Sequence, residues 1–188
     1  MADAGALRSL RDRPFQLLRE LDRRARAAAQ GQPEVEASGA EWVGIAFRLG
    51  GEAFLLAREE TREVMGYPAT VTRVPGAKNW IRGLSNVRGQ LLPLIDLRSF
   101  LGSGTTAVTR ATRVLVANHR EIPAGLVVDE VMGFRRFYES EFSGDLPPTL
   151  LRCERYLAGA FKRGAEVWPV FSMRTLLESQ QFLQAAAS

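Results

Sequence analysis

Few residues in this chain have the type and spacing for acid–base or covalent chemistry. His119 is the single histidine and Cys153 the single cysteine. Any Ser–His–Asp or Cys–His arrangement would therefore have to recruit one of them. His119 lies in Asn118-His119-Arg120-Glu121, which reads as an exposed turn between two strands. Cys153 has only Arg152 and Arg155 as basic neighbours, so an inert thiol is expected. Glu59-Glu60 and Asp129-Glu130 are adjacent carboxylates, and neighbours on a strand point to opposite faces, so adjacency makes no dyad. Gly102-Ser103-Gly104 lacks the lysine and following helix of a phosphate loop. One cysteine and one histidine leave no disulfide framework and no multi-cysteine metal site. The expectation is a protein that is not an enzyme and holds no metal or cofactor.

Chemistry of another kind is concentrated between Val74 and Gly102, VPGAKNWIRGLSNVRGQLLPLIDLRSFLG. Arg88-Gly89 stands where one strand gives way to the next. Glycine frees the backbone there and leaves the arginine on the rim, its planar donor fork open to a carboxylate. Such an arginine is either a solvated turn residue or an interface anchor. Glu63, in Thr61-Arg62-Glu63-Val64-Met65, is either a plain surface carboxylate or an acid partner on the same face.

The elements that must position these residues read as mainly β. The chain has 188 residues, 46% hydrophobic and 24% charged, enough to bury a core. Trp42–Arg48 and Glu52–Ala57 around Gly50-Gly51 predict a hairpin. Further short strands are expected at Thr70–Val74, Gly83–Val87, Gln90–Asp96, Thr112–Asn118, Ile122–Val128, Gly133–Tyr138, Leu157–Lys162 and Glu166–Phe171. Their short connections exclude βαβ units and argue for a barrel or sandwich. Ser172–Gln184 reads as a closing helix capped by Ser172.

Residues 14–29 read as an amphipathic helix that packs on its own domain or enters a partner's groove, and 30–40 as a linker. No apolar run approaches a membrane span or a secretory signal, which points to a cytoplasmic protein. The net charge of +4 is unevenly placed. Residues 1–29 carry seven arginines against four acids, whereas the remainder balances 18 basic against 17 acidic residues. That leaves a second reading, an SH3- or OB-like barrel binding nucleic acid through a basic arm. It is weakened because Trp42, Phe47, Phe54, Trp80, Trp168 and Phe171 alternate with glycine or aliphatic residues, as core residues do.

NVRGQLLPLIDLRSFLG resembles the signature of CheW-like coupling domains. Phe47-Arg48-Leu49-Gly50-Gly51, Gly125–Val131, Tyr156-Leu157-Ala158-Gly159, Pro169-Val170-Phe171 and Leu176-Leu177 agree with that family in order and spacing. A narrower resemblance, to the PilI type of type IV pilus (twitching motility) chemosensory systems, rests on Pro14-Phe15, Leu17-Leu18, Trp42, Gly44–Leu49, Val74-Pro75-Gly76, Lys78, Trp80 and Asn86–Gly89. The resemblance implies two five-stranded SH3-like β-barrel subdomains sharing an apolar core, with an N-terminal and a C-terminal helix. It implies a domain over 41–178, a leading segment 1–40 that ordinary coupling proteins lack in this form, and a tail over 179–188. It further implies a non-catalytic adaptor between a methyl-accepting chemoreceptor's cytoplasmic tip and the regulatory domain of a CheA-type histidine kinase. The implied partner-binding positions are Glu63, Gly83, Asn86, Val87, Arg88 and Gly89.

Overall fold

A computed structural model describes residues 40–184. The helix expected over 14–29 and the linker up to residue 39 lie outside the described residues. The chain opens with a hairpin of β1 (Glu41–Leu49) and β2 (Glu52–Ala57). Gly50 and Gly51 both have positive φ, the geometry whose twist matches the flanking strands. β3 (Thr61–Gly66) follows, then β4 (Ile81–Val87), β5 (Gln90–Asp96) and the single-turn α1 (Leu97–Phe100). β6 (Arg113–Ala117), β7 (Gly125–Val128), β8 (Glu130–Tyr138) and the two-residue β9 (Phe142–Ser143) come next. β10 (Leu157–Arg163), β11 (Glu166–Phe171), α2 (Met173–Leu177) and α3 (Gln180–Leu183) complete the described chain.

These strands form two sheets. One is five-stranded, in the order β3-β6-β7-β5-β4; the other runs β8-β1-β2-β11-β10, with β9 added as a sixth edge strand. Each has its own interior: Leu92, Leu94, Val114, Val116 and Val127 in the first, Ala46, Leu55, Phe137, Phe161 and Val170 in the second. Alternation along β1 sends Ala46 into its own barrel and Ile45, Phe47 and Leu49 to the opposite face. There they meet Trp80, Ile95, Leu97, Phe100, Phe171 and Leu176 in the core shared by both subdomains. Of the aromatic residues expected inside, Phe47, Phe54, Trp80 and Phe171 are buried in this core, while Trp42 and Trp168 flank the second barrel's interior.

The two barrels repeat one design. In each, three antiparallel strands are joined to the rest by one parallel pairing, β7 to β5 and β2 to β11. Residues 80–101 match 156–177 without a gap, with Gly83 on Gly159, Pro93 on Pro169, Arg98 on Arg174 and Leu101 on Leu177. Both glycines have strongly positive φ, and at both a Cβ would overlap a carbonyl oxygen, of Thr72 or Ser143, on the neighbouring segment. Asp96 N–H donates to Trp80 C=O at 2.8 Å, and Ser172 N–H to Tyr156 C=O at 2.7 Å. Asp96 and Ser172 then each cap the helix that follows.

Three expectations are corrected. Thr70–Val74, bracketed by Pro68 and Pro75, contributes only the single bridge Thr72–Leu84. Ser172–Gln184 is two helices, because Ser179 adopts extended backbone and caps α3 through Phe182 N–H. The segment set apart as a tail carries Phe182 into the shared core, stacked on Trp80 at 5.6 Å. β3 was not expected as a strand: its inward positions Thr61, Glu63 and Met65 hide the alternation of its burial.

Asp96 is the most heavily engaged buried polar group. Its carboxylate pairs with Arg82 at 2.7 Å and accepts Thr106 N–H, Thr106 Oγ1–H and Ser99 N–H. Arg82 also donates to the Thr106 carbonyl. Removing one partner of a buried charge pair strands the other. Asp96→Ala is expected to cost about 3 kcal/mol of unfolding free energy in a urea titration. A loss below about 1 kcal/mol would show the network to be dispensable.

Candidate functional site

The β4–β5 hairpin carries five of the six expected site residues, four of them at its turn end. Val87 pairs with Gln90 as its last rung, leaving Arg88 and Gly89 as the two-residue turn. Both have positive φ, 52° and 84°. Asn86 Oδ1 accepts Gly89 N–H at 2.8 Å and fixes the turn. Gly89 has open space where a Cβ would sit, so only its φ calls for glycine. Val87 packs against the barrel interior and roots the hairpin.

Arg88 is one of two non-glycine residues with positive φ among the described residues, the other being Arg152. A left-handed conformation costs a non-glycine residue about 1 kcal/mol or more, and the matching position of the second barrel is Gly164. The first barrel thus holds an arginine where its twin uses the residue that the turn favours. The side chain is 82% exposed, and its guanidinium Nη2 lies 2.8 Å from Glu63 Oε2 on β3. An exposed pair of this kind adds little stability, but it fixes the direction of the cation. Glu63 therefore joins the hairpin as the acid partner. Gly83 lies further back on β4, away from the turn: it is buried, and its absent side chain permits the close approach of Thr72.

A groove of ≈ 500 Å³ opens beside this pair, between the two subdomains. Val64 and Glu63 of β3 form one wall, Val131 and Phe134 of β8 the other, with Ile45 between them. Phe134 is 60% exposed, unusual for a phenylalanine on a strand. Sequence reading missed Phe134; its position on a strand between Gly133 and Arg135 offered no sign of its exposure.

The candidates for covalent chemistry are committed to structure. His119 is half-buried, not fully exposed as expected, because its Nδ1 folds back to accept Glu121 and Ile122 N–H. Its Nε2 lies 3.5 Å from Glu178. Cys153 is buried, and that burial pushes its thiol above the ordinary range. Glu60 caps α2 through Met173 and Arg174 N–H, and Asp129 accepts Gly50 N–H at 2.7 Å. Among the described residues no cluster of His, Cys, Asp or Glu could hold a metal ion, and no helix is long and apolar enough to cross a membrane.

The described chain is thus a double barrel that displays Arg88, paired with Glu63, beside an inter-subdomain groove. The family model for the CheW-like domain matches residues 43–181, and the chain belongs to that family of non-catalytic scaffold proteins. It is 42% identical to protein PilI of Pseudomonas aeruginosa over 173 residues, 92% of this chain and 96% of that one. That span exceeds the 148 residues from Glu41 onward, so the similarity includes part of the leading segment. Protein FrzA of Myxococcus xanthus is 32% identical over 65% of this chain and 70% of its own. The fold also matches the crystal structure of scaffolding protein TtCheW from Thermoanaerobacter tengcongensis, at TM-score 0.66 and 23% identity over 76% of this chain and 96% of that one.

Relieving the turn should not harm the fold. Arg88→Asn, which suits a left-handed position, is expected to keep unfolding free energy within about 1 kcal/mol of wild type or to raise it. Thermal melts followed by circular dichroism would check this, and a loss of about 2 kcal/mol would make Arg88 a requirement of the fold.

Proposed function

We propose that this protein couples a methyl-accepting chemoreceptor to a CheA-type histidine kinase in the cytoplasm, within the chemosensory system of type IV pili and twitching motility. The observation that carries the reading is Arg88, held at a strained turn where the twin barrel keeps glycine. Strain retained at a surface position is characteristic of functional sites. Asn86, Arg88 and Gly89, with Val87 behind them and Glu63 beside them, would meet the kinase's regulatory domain. Gly83 serves that surface by keeping β4 in place.

The groove between Val64 and Phe134 would receive the receptor's cytoplasmic tip. A long helical tip needs an elongated apolar trough flanked by polar residues, and Arg58, Glu59 and Glu63 supply such flanks. We assign coupling to residues 41–178, with the leading segment 1–40 as the addition of the pilus type; the similarity to PilI, which reaches into that segment, supports this. Association with the membrane would then be indirect, through the receptor.

Two variants separate the surfaces. In calorimetry with the regulatory domain of the co-encoded kinase, Arg88→Glu is expected to weaken a micromolar-range interaction at least about tenfold while the β signal persists. Phe134→Asp should keep that interaction and abolish receptor-dependent kinase stimulation in a reconstituted ternary mixture. If the folded wild type fails to bind the kinase domain, coupling to that kinase is wrong.

A further inference from the structure

Next to the Arg88 hairpin lies a second, smaller concavity of ≈ 280 Å³. Val87 and Leu91 of the hairpin, Arg62 of β3, and Arg120 with Pro123 of the β6–β7 turn form its walls. Leu91 is 65% exposed. The floor backs directly onto the first barrel's interior through Leu92 and Val116. Arg62 and Arg120 are exposed, and neither has a carboxylate partner among the described residues. Glu121 follows Arg120 in the chain but does not line the concavity, and no other carboxylate does. His119, also on its wall, has both ring nitrogens engaged elsewhere.

Two arginines on either side of the exposed Leu91 and half-buried Val87 complement a segment with one small apolar side chain flanked by carboxylates. Guanidinium forks bind carboxylates bidentately and thus with geometric selectivity. The concavity shares Val87 with the hairpin and so continues its surface. We propose that Arg62 and Arg120 read an acidic segment of the kinase's regulatory domain and determine which kinase is accepted. This rests on the coupling function proposed for the hairpin. Exposed complementary charges act on association rate and specificity more than on final affinity. Discrimination between parallel kinases would then occur at encounter.

The test measures association of the full chain with the immobilised kinase regulatory domain at low and high salt, about 50 and 300 mM NaCl. The wild-type rate should fall with salt. The Arg62→Glu, Arg120→Glu double variant should associate about tenfold more slowly at low salt and lose most of the salt dependence. Arg62→Lys with Arg120→Lys should recover part of the rate, and the paired alanine variant serves if charge reversal disturbs folding. If the double variant keeps wild-type rates and salt response while Arg88→Glu loses binding, the charge reading is overturned and the coupling surface stands. If the wild type does not bind, both fall together. A DNA duplex of about 20 base pairs that displaces the kinase domain through the same arginines would also overturn the proposal, in favour of nucleic acid.

Discussion

A carboxylate with no exposed surface organises the first barrel. Asp96 ends β5, caps α1, anchors the returning loop at Thr106 and neutralises Arg82 on the adjacent strand. A buried charge of this kind adds little net stability over an apolar alternative, but it tolerates few arrangements of its donors. It therefore fixes where α1 begins, how the loop over 101–112 closes, and how β4 sits against β5. Because β4 and β5 carry the Arg88 hairpin at their far end, the register set at Asp96 determines where the arginine emerges. Ser172 occupies the same place in the second barrel with a neutral hydroxyl, and there the neighbouring strand presents Ala158 in place of Arg82.

The second barrel adds a cap from outside to the one that Ser172 supplies. Glu60, just before β3, reaches α2 and accepts two of its first N–H groups. This contact, with the shared core around Phe47, Trp80 and Phe171, ties the subdomains into one body and gives the groove between them fixed walls. A binding groove is useful to a signalling scaffold only if its walls keep their spacing when a partner enters or leaves. Carboxylates that looked available for acid–base chemistry are instead spent on backbone donors that would otherwise be buried unsatisfied.

Much of this could be read in the sequence wherever hydrophobic alternation and turn glycines coincide. β5 has the bounds its apolar run and flanking residues define, and the Gly50-Gly51 hairpin follows from its two glycines. Arg88 and Glu63 could be flagged, but whether they meet depends on the curl of a five-stranded sheet that brings its two edge strands together. β3 escaped because its inward residues include a threonine and a glutamate, whose burial reflects a barrel mouth and not an apolar preference. The internal repeat escaped because few identities survive in it; what persists is backbone geometry, visible as a positive φ or a shared hydrogen bond. Phe134 is legible only from its exposure. Its side chain type alone would assign it to a core.

The order of strands along the chain has a consequence for synthesis on the ribosome. The first barrel is continuous, from Thr61 to Val128, whereas the second is assembled from β1 and β2 before it and β8 to β11 after it. The opening hairpin is therefore made with its partner β11 still more than a hundred residues further along the chain. During that interval the inner barrel can close, but the apolar faces of β1 and β2 have only the inner barrel's outer surface to cover them. Phe47, Phe54 and Leu56 thus have a docking platform before their own sheet exists. The surface that joins the two subdomains in the finished scaffold is thus also the one an incomplete hairpin would have available to it.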